Sequence, residues 1–314
     1  MITANQMADL YLPKMEQYID TNVSKLIAKG DWKLFFAEGG TKHLYEDTKV
    51  EEASGTMREK VDGSDSVAFK LHDGYTKRRS VRIYACAAEY TKLAWKTANN
   101  RLMMKISKAC ADSPNQMISD LVAAIIELGD SNLAGVPVVG GKPMIDTLAA
   151  DGQPIFSTAH TFKSTGTETY SNKTSAYTAL TADSLWDARN QIAGWRNNLG
   201  ELLNIDAKRL VVGFANYKKA VELIRSKDDS ETANRSTNSL NELGLTFTCY
   251  NRMINDTEWF LETNAENDYK IKFLWKPETK RDESVRSGTF LINVDTAFSH
   301  GVGDPRRWFA NKAA

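Results

Sequence analysis

The sequence predicts an α+β fold, with helices and strands in separate stretches of the chain. Three observations carry that expectation. Two amphipathic helices with their own start and stop signals occur near 113–129 and 181–200. Between 45 and 86 apolar and polar residues alternate with the period of a strand. From about 245 to 294 short apolar runs are separated by turn residues. No internal repeat is present.

Residues 1–44 read as an N-terminal arm. Met7, Leu10, Tyr11, Met15 and Tyr18 recur at helical spacing, and Pro13 should kink that helix or delay its start. Gly39-Gly40 should break the chain. Residues 45–86 read as an extended hairpin loop. Val67, Phe69 and Leu71 alternate with polar residues, as do Val81, Ile83 and Ala85, and Asp62-Gly63 and Asp73-Gly74 supply turn chemistry. The segment has few large apolar residues, so it should project and rest on another surface, as a loop packed on a neighbouring subunit would.

Residues 87–111 carry helical spacing, with Leu102, Met103, Ile106 and Cys110 on one stripe. Ser113-Pro-Asn-Gln116 reads as a capping box that restarts the helix. Met117, Ile118, Leu121, Val122 and Ile125 then line one face, and Gly129 marks the stop. Residues 130–180 are rich in Gly, Pro, Ser and Thr and predict a long loop excursion with short strands. Thr181 opens a second helix through Leu185, Ala188, Ile192, Trp195 and Leu199, closed by Gly200. An apolar strand at Arg209–Phe214 and a helix from Ala215 to about Arg225 follow. Strands are expected at 245–250, 257–262, 270–275 and 289–294, with a turn at Asn255-Asp256.

Composition narrows the function. With 314 residues, 42% of them hydrophobic, the chain can bury a sizeable core. The 40 basic residues balance the 40 acidic ones, which argues against a strong nucleic-acid binder and favours protein partners. No apolar run is long enough to span a membrane, and Met1 to Asp20 lacks the apolar core of a signal peptide. Cys86, Cys110 and Cys249 are scattered, with no Cys-x-x-Cys, and read as reduced buried thiols.

Candidate chemical motifs fail one by one. Gly135 to Lys142 lacks the P-loop pattern: Val136 stands six positions before Lys142, and Pro143 follows where a hydroxyl should. Asp151, Ser157 and His160 have the residue types of a hydrolase triad, but no Gly-x-Ser-x-Gly elbow surrounds Ser157. A hydroxyl and an imidazole satisfying loop backbone is the expected role. His43, His72, His160 and His300 show no metal-ligand spacing. Trp259, Trp275 and Trp308 read as core or subunit anchors. The sequence therefore predicts no enzyme activity, no cofactor and no metal.

Charge is locally polarised. Glu46, Asp47, Glu51 and Glu52 are acidic, whereas Lys77, Arg78, Arg79 and Arg82 are basic, with Lys92, Lys96, Arg101, Lys105 and Lys108 beyond. Cross-strand pairing within the hairpin and charge matching between subunits both fit this pattern. Contact with DNA ranks third, given the zero net charge. The eight residues from Glu46 to Arg82 are the candidate inter-subunit contacts.

The segment Asp151-Gly-Gln-Pro-Ile-Phe-Ser-Thr-Ala-His160, followed by the helix, the Leu-Val-Val strand and the second helix, resembles the major head proteins of Mu-like tailed bacteriophages. Gly-Leu-Thr-Phe at 244–247, Thr257-Glu-Trp-Phe260 and the closing Gly-Val-Gly-Asp-Pro-Arg-Arg-Trp308 continue the order. The resemblance implies the Hong Kong 97 capsid fold. Its plan lays an arm on 1–44 and an extended loop on 45–86. A peripheral domain with a spine helix falls on 87–181 and 269–314, and an axial domain on 182–268. It further implies a virion shell subunit, assembled in the host cytoplasm into pentamers and hexamers, around double-stranded DNA contacted non-specifically. Portal, scaffold and decoration proteins are the implied partners. Some similar proteins carry a cleaved N-terminal scaffolding extension; with the hairpin starting near residue 45 no room is left for one, so a separate scaffold, or none fused to this chain, is expected. An encapsulin-like nanocompartment shell is the alternative within the fold, and a Ser-dependent hydrolase the alternative outside it.

Overall fold

The chain divides into two units, each with its own four-stranded sheet. The computed structural model describes all residues except 1–3, 51, 55–58, 61, 63, 64, 67–69, 73, 92–99, 134–144, 164–168, 198, 199, 227–238, 254, 256, 285–288, 313 and 314. The expected turn at Asp62-Gly63, the strand positions Val67 and Phe69, and the Gly135–Lys142 loop fall wholly or partly outside the described residues.

Unit 1 comprises Met1–Glu46, Arg79–Val122 and Lys270–His300. Helix α1 spans Ala4–Ala28 and runs through Pro13 without a break. Met15, Ile19, Val23 and Ile27 are buried at every fourth position, which makes one continuous stripe. Trp32, Phe35 and Phe36 follow, all fully buried. The second half of the predicted arm is thus packed into the unit. Gly39-Gly40 does not break the chain but ends strand β1 (Ala37–Gly40). β1 lies parallel to β12 (Tyr269–Ser284), with Gly39 opposite Lys272. A Cβ on Gly39 would stand 3.2 Å from the Lys272 stem, so glycine serves close strand approach here. The sheet order is β1-β12-β13-β6, with β13 at Thr289–Val302 and β6 at Arg82–Thr91. Residues 87–91 are therefore strand, not helix, and β6 pairs with β13 from Arg82–Phe298 to Thr91–Thr289. β12 and β13 are far longer than the expected runs.

Helix α2 spans Asn100–Glu127 as one piece of 28 residues, passing from unit 1 into unit 2. The predicted restart at Ser113-Pro114 does not occur. Met103, Ser107, Cys110, Pro114, Ile118, Leu121 and Ile125 are buried along a single stripe, whereas Ile106 is exposed. Proline removes the amide that would bond the carbonyl four residues earlier. That carbonyl belongs to Cys110, and the Cys86 thiol lies 3.8 Å from it as a substitute donor. The side of the helix that loses a bond faces a strand that replaces it.

Unit 2 comprises Asp47–Arg78, Ala123–Tyr269 and Gly301–Ala314. Its sheet runs β10-β9-β11-β14, with β9 at Ala207–Val212, β10 at Thr246–Cys249, β11 at Trp259–Thr263 and β14 at Trp308–Asn311. β9 and β10 are parallel, joined through helix α4 (Phe214–Arg225) and the short α5 (Ser239–Glu242). Helix α3 covers Ala182–Ala193, shorter than expected. Its start is as predicted: Thr181 and Ser184 exchange side-chain and backbone hydrogen bonds. It stops at Gly194 because Trp195 turns inward and donates its indole N–H to Ser171 O at 2.9 Å. Gly200 (φ 81°) then serves the turn bridged by Arg196 and Leu202. Leu185, Ile192, Leu210, Val212, Trp259 and Phe309 share one apolar core.

The hairpin is formed by β2 (Tyr45–Lys49) with β5 (Thr76–Ser80) and β3 (Glu52–Ser54) with β4 (Lys70–His72). It ends at 80, since Arg82 already belongs to the large sheet.

Candidate functional site

The segment 151–172 folds around a buried polar centre. His160 is fully buried, with Nδ1 at 2.8 Å from Asp151 Oδ2 and Nε2 at 3.0 Å from Asn172 Oδ1. The Asn172 amide N–H₂ donates to Ile155 O at 2.8 Å and faces Pro305 O and Trp308 O. Its Oδ1 must then be the atom turned toward His160 and the Ser157 amide. Each imidazole nitrogen thus has a side-chain oxygen as its partner. Burial pushes the Asp151 carboxyl up. The hydrogen bond and charge of His160, with the amides of Gln153 and Thr161, outweigh it and hold the carboxyl below its usual value.

This arrangement is not a catalytic triad. The Ser157 hydroxyl accepts from the Ala159 amide at 3.2 Å, while the imidazole is spent on Asp151 and Asn172. Both ring nitrogens are taken up by those two side-chain oxygens, and neither bonds the Ser157 hydroxyl. The centre instead sews loop 151–172 to β14: Asn172 O accepts from Ala310 N and Thr174 N donates to Ala310 O. The Ser157 hydroxyl meets loop backbone as expected, whereas the His160 imidazole meets the side chains of Asp151 and Asn172 and not backbone. Asn172, which completes the centre, carries no signal in the sequence. Among the described residues no group of histidine, cysteine or carboxylate side chains is placed to hold a metal.

A second buried charge closes the C-terminal end of α2. Lys312 is 2% exposed. Its Nζ donates to Ile126 O at 3.1 Å and Glu127 O at 2.6 Å, and pairs with Glu258 Oε2 at 3.3 Å. A cation at the unsatisfied carbonyls of a helix end is favourable both as hydrogen-bond donor and against the helix dipole.

The predicted contact residues are placed in different ways. Arg78 bonds Asp47 in a two-point pair at 2.8 and 3.0 Å, exposed on the hairpin. Lys77 turns inward to Asp146 at 2.7 Å and Leu148 O at 2.8 Å. Arg79 is buried, and Arg82 is exposed. Glu46 and Glu52 lie on β2 and β3, and Glu51 falls outside the described residues. The root of the hairpin is held within the chain by Lys77, by Tyr75 OH at 3.0 Å from Thr161 Oγ1, and by Lys163 to Gly74 O at 3.2 Å. This root is ordered by its own unit.

Comparison with known proteins gives two findings. Residues 174–247 match the family model described as the Mu-like prophage major head subunit gpT. No curated protein matches the chain in sequence. Among solved structures, one from Mycobacterium phage Patience superposes with a TM-score of 0.54 at 11% identity, covering 99% of this chain and 88% of that one. The capsid structure of the cyanophage P-SCSP1u gives 0.53 at 12% identity, with 89% and 86% covered. One from Microbacterium phage Oxtober96 gives 0.52 at 9% identity, with 91% of each covered. The mixed helix-and-sheet architecture is thus the Hong Kong 97 type of fold expected from the sequence.

Proposed function

We propose that this chain, a structural major capsid protein of the tailed-phage type, assembles through pentamers and hexamers into a closed icosahedral head around double-stranded DNA. The observation that carries the reading is the head-subunit match at 174–247 set in a chain that has the capsid fold from end to end. The match to a phage head subunit favours this over a genome-free nanocompartment shell. The doubly bonded imidazole of His160 disfavours a serine hydrolase. Shell closure needs many modest contacts per subunit rather than one strong one.

Within that reading, 182–268 with the tail strand 308–311 is the axial region, and the remainder of 87–181 and 269–314 the peripheral region. The paired strands β3 and β4 of the hairpin and the first turns of α1 are the parts that reach neighbours. Asp47, Arg78 and Arg82 are the charges available to meet them, because Lys77 and Arg79 are turned inward. Portal, scaffold and decoration proteins remain the proposed partners, the host cytoplasm the site of assembly, and DNA a non-specific ligand. Electron microscopy of the purified protein, and of particles that contain it, tests the proposal. Rings and closed shells are expected. A subunit that stays monomeric under every assembly condition, and is found in no particle, refutes it.

A further inference from the structure

Cys86 and Cys110 share no motif and stand 24 positions apart, yet the fold brings their sulfurs to 3.6 Å. β6 lies over α2 here. One strand turn away, Tyr90 OH and Ser107 Oγ meet at 2.7 Å and fix the same register. Pro114 contributes as well: by leaving the Cys110 carbonyl without its helical donor, it draws the Cys86 thiol onto the helix. Cys110 is buried, whereas Cys86 is half-buried and lines a small cleft with Ser113, Pro114 and Met117. A small solute reaches one sulfur of the pair and not the other.

We propose that Cys86 and Cys110 are a reversible redox pair, converted by a peroxide into a disulfide that fastens β6 to α2. The Cys86 thiolate attacks one peroxide oxygen, the O–O bond breaks, and Cys86 becomes a sulfenic acid as hydroxide leaves. The Cys110 sulfur then attacks Cys86 Sγ. The S–O bond breaks, the S–S bond forms, and the Cys110 proton leaves with the hydroxide as water. Two thiols and one hydrogen peroxide give one disulfide and two waters, the thiols losing two electrons. A disulfide needs the sulfurs at about 2 Å, and the pair starts from contact at 3.6 Å.

The acidity of the pair suits these roles. A hydrogen bond from Cys110, opposed by burial and aided by Ser113, pulls the Cys86 thiol down to about 7. The neighbouring Cys86 and burial push Cys110 up. The reachable sulfur is therefore the nucleophile and the buried one the resolving thiol. Cys249 serves as an internal control. Its thiol bonds Asn251 at 3.5 Å.

The test treats the full-length protein with hydrogen peroxide, caps remaining thiols with iodoacetamide and maps the unreduced digest by mass spectrometry. The expected product joins the Cys86 and Cys110 peptides within one chain, leaves Cys249 capped, and reverts with dithiothreitol. The oxidised protein should also melt at a higher temperature than the reduced one. In Cys110→Ala, dimedone should trap Cys86 as its sulfenic acid. If that variant does not fold, the peptide map of the unaltered chain decides alone. Cys86 and Cys110 both still capped after peroxide, or Cys86 joined to another chain, overturns the proposal.

Discussion

Replacing Lys312 by Met removes a buried cation from a helix end and leaves three acceptors behind. Methionine keeps the length and apolar stem of the side chain, while the ammonium 5.9 Å from the centre of the Phe260 ring is lost with the charge. The carbonyls of Ile126 and Glu127 lose a donor, and Glu258, whose side chain is 5% exposed, loses its ion-pair partner. Removing one member of a buried ion pair costs about 3–5 kcal/mol, because the survivor is left charged in a poor solvent. Against a total of about 5–15 kcal/mol for a domain, that is a large share. The assay is urea unfolding of the dissociated subunit followed by circular dichroism. Lys312→Met should unfold at clearly lower urea than the native chain. Adding Glu258→Gln removes the charge left beside Asn255, and the double variant should recover about 1 kcal/mol or more relative to the single. If Lys312→Met lies within about 0.5 kcal/mol of the native protein, the effect is that of a surface residue and the capping argument is wrong. If the double variant is no better than the single, Glu258 is not the group that suffers.

Other expectations follow from the same geometry. Asp151 has a folded carboxyl pKa below its unfolded one. Its contribution to stability is therefore present above the unfolded value of about 3.9 and is lost as pH falls through the lower folded value. Urea midpoints measured from pH 7 down to pH 3 should fall less steeply at the acid end in Asp151→Asn than in the native chain, and equal slopes would remove Asp151 from the account. Ser157→Ala should change neither fold nor any turnover, and a fluorophosphonate probe should leave Ser157 unlabelled; labelling there would revive the hydrolase reading. Gly129→Ala should destabilise by about 1–3 kcal/mol in the same urea assay, because its Cβ would stand 2.6 Å from the Phe156 ring. Joint Arg78→Glu and Arg82→Glu exchange should lower shell yield while circular dichroism stays native, since both side chains are exposed. Full yield would place these arginines away from any neighbour.

Local pattern was enough to read much of this protein. The Thr181 cap rests on interactions within a few residues, and the α4 helix, the strand at 207–212 and the apolar face of 117–125 show in the spacing of their apolar residues, whatever partners bury them. The order of those elements carried the capsid fold as well. Helix α2 shows where local reading stops. Ser113-Pro114 has the chemistry of a helix start, but Cys86, on a strand 24 residues before the Cys110 carbonyl, covers the gap that Pro114 opens and lets the helix continue. Gly39-Gly40 has the chemistry of a break, but β12 supplies partners from more than 230 residues away. His160 was legible as a residue without catalytic surroundings. Its real partners are Asp151, nearby in sequence, and Asn172, whose orientation is set by carbonyls at 305 and 308. Lys312 left no trace, since its ligands lie 54 to 186 positions away. Propensity and capping are short-range and survive in the sequence alone. Which buried donor meets which acceptor, and which thiol meets which, depends on chain segments brought together by burial of the two cores, and is decided when the fold closes.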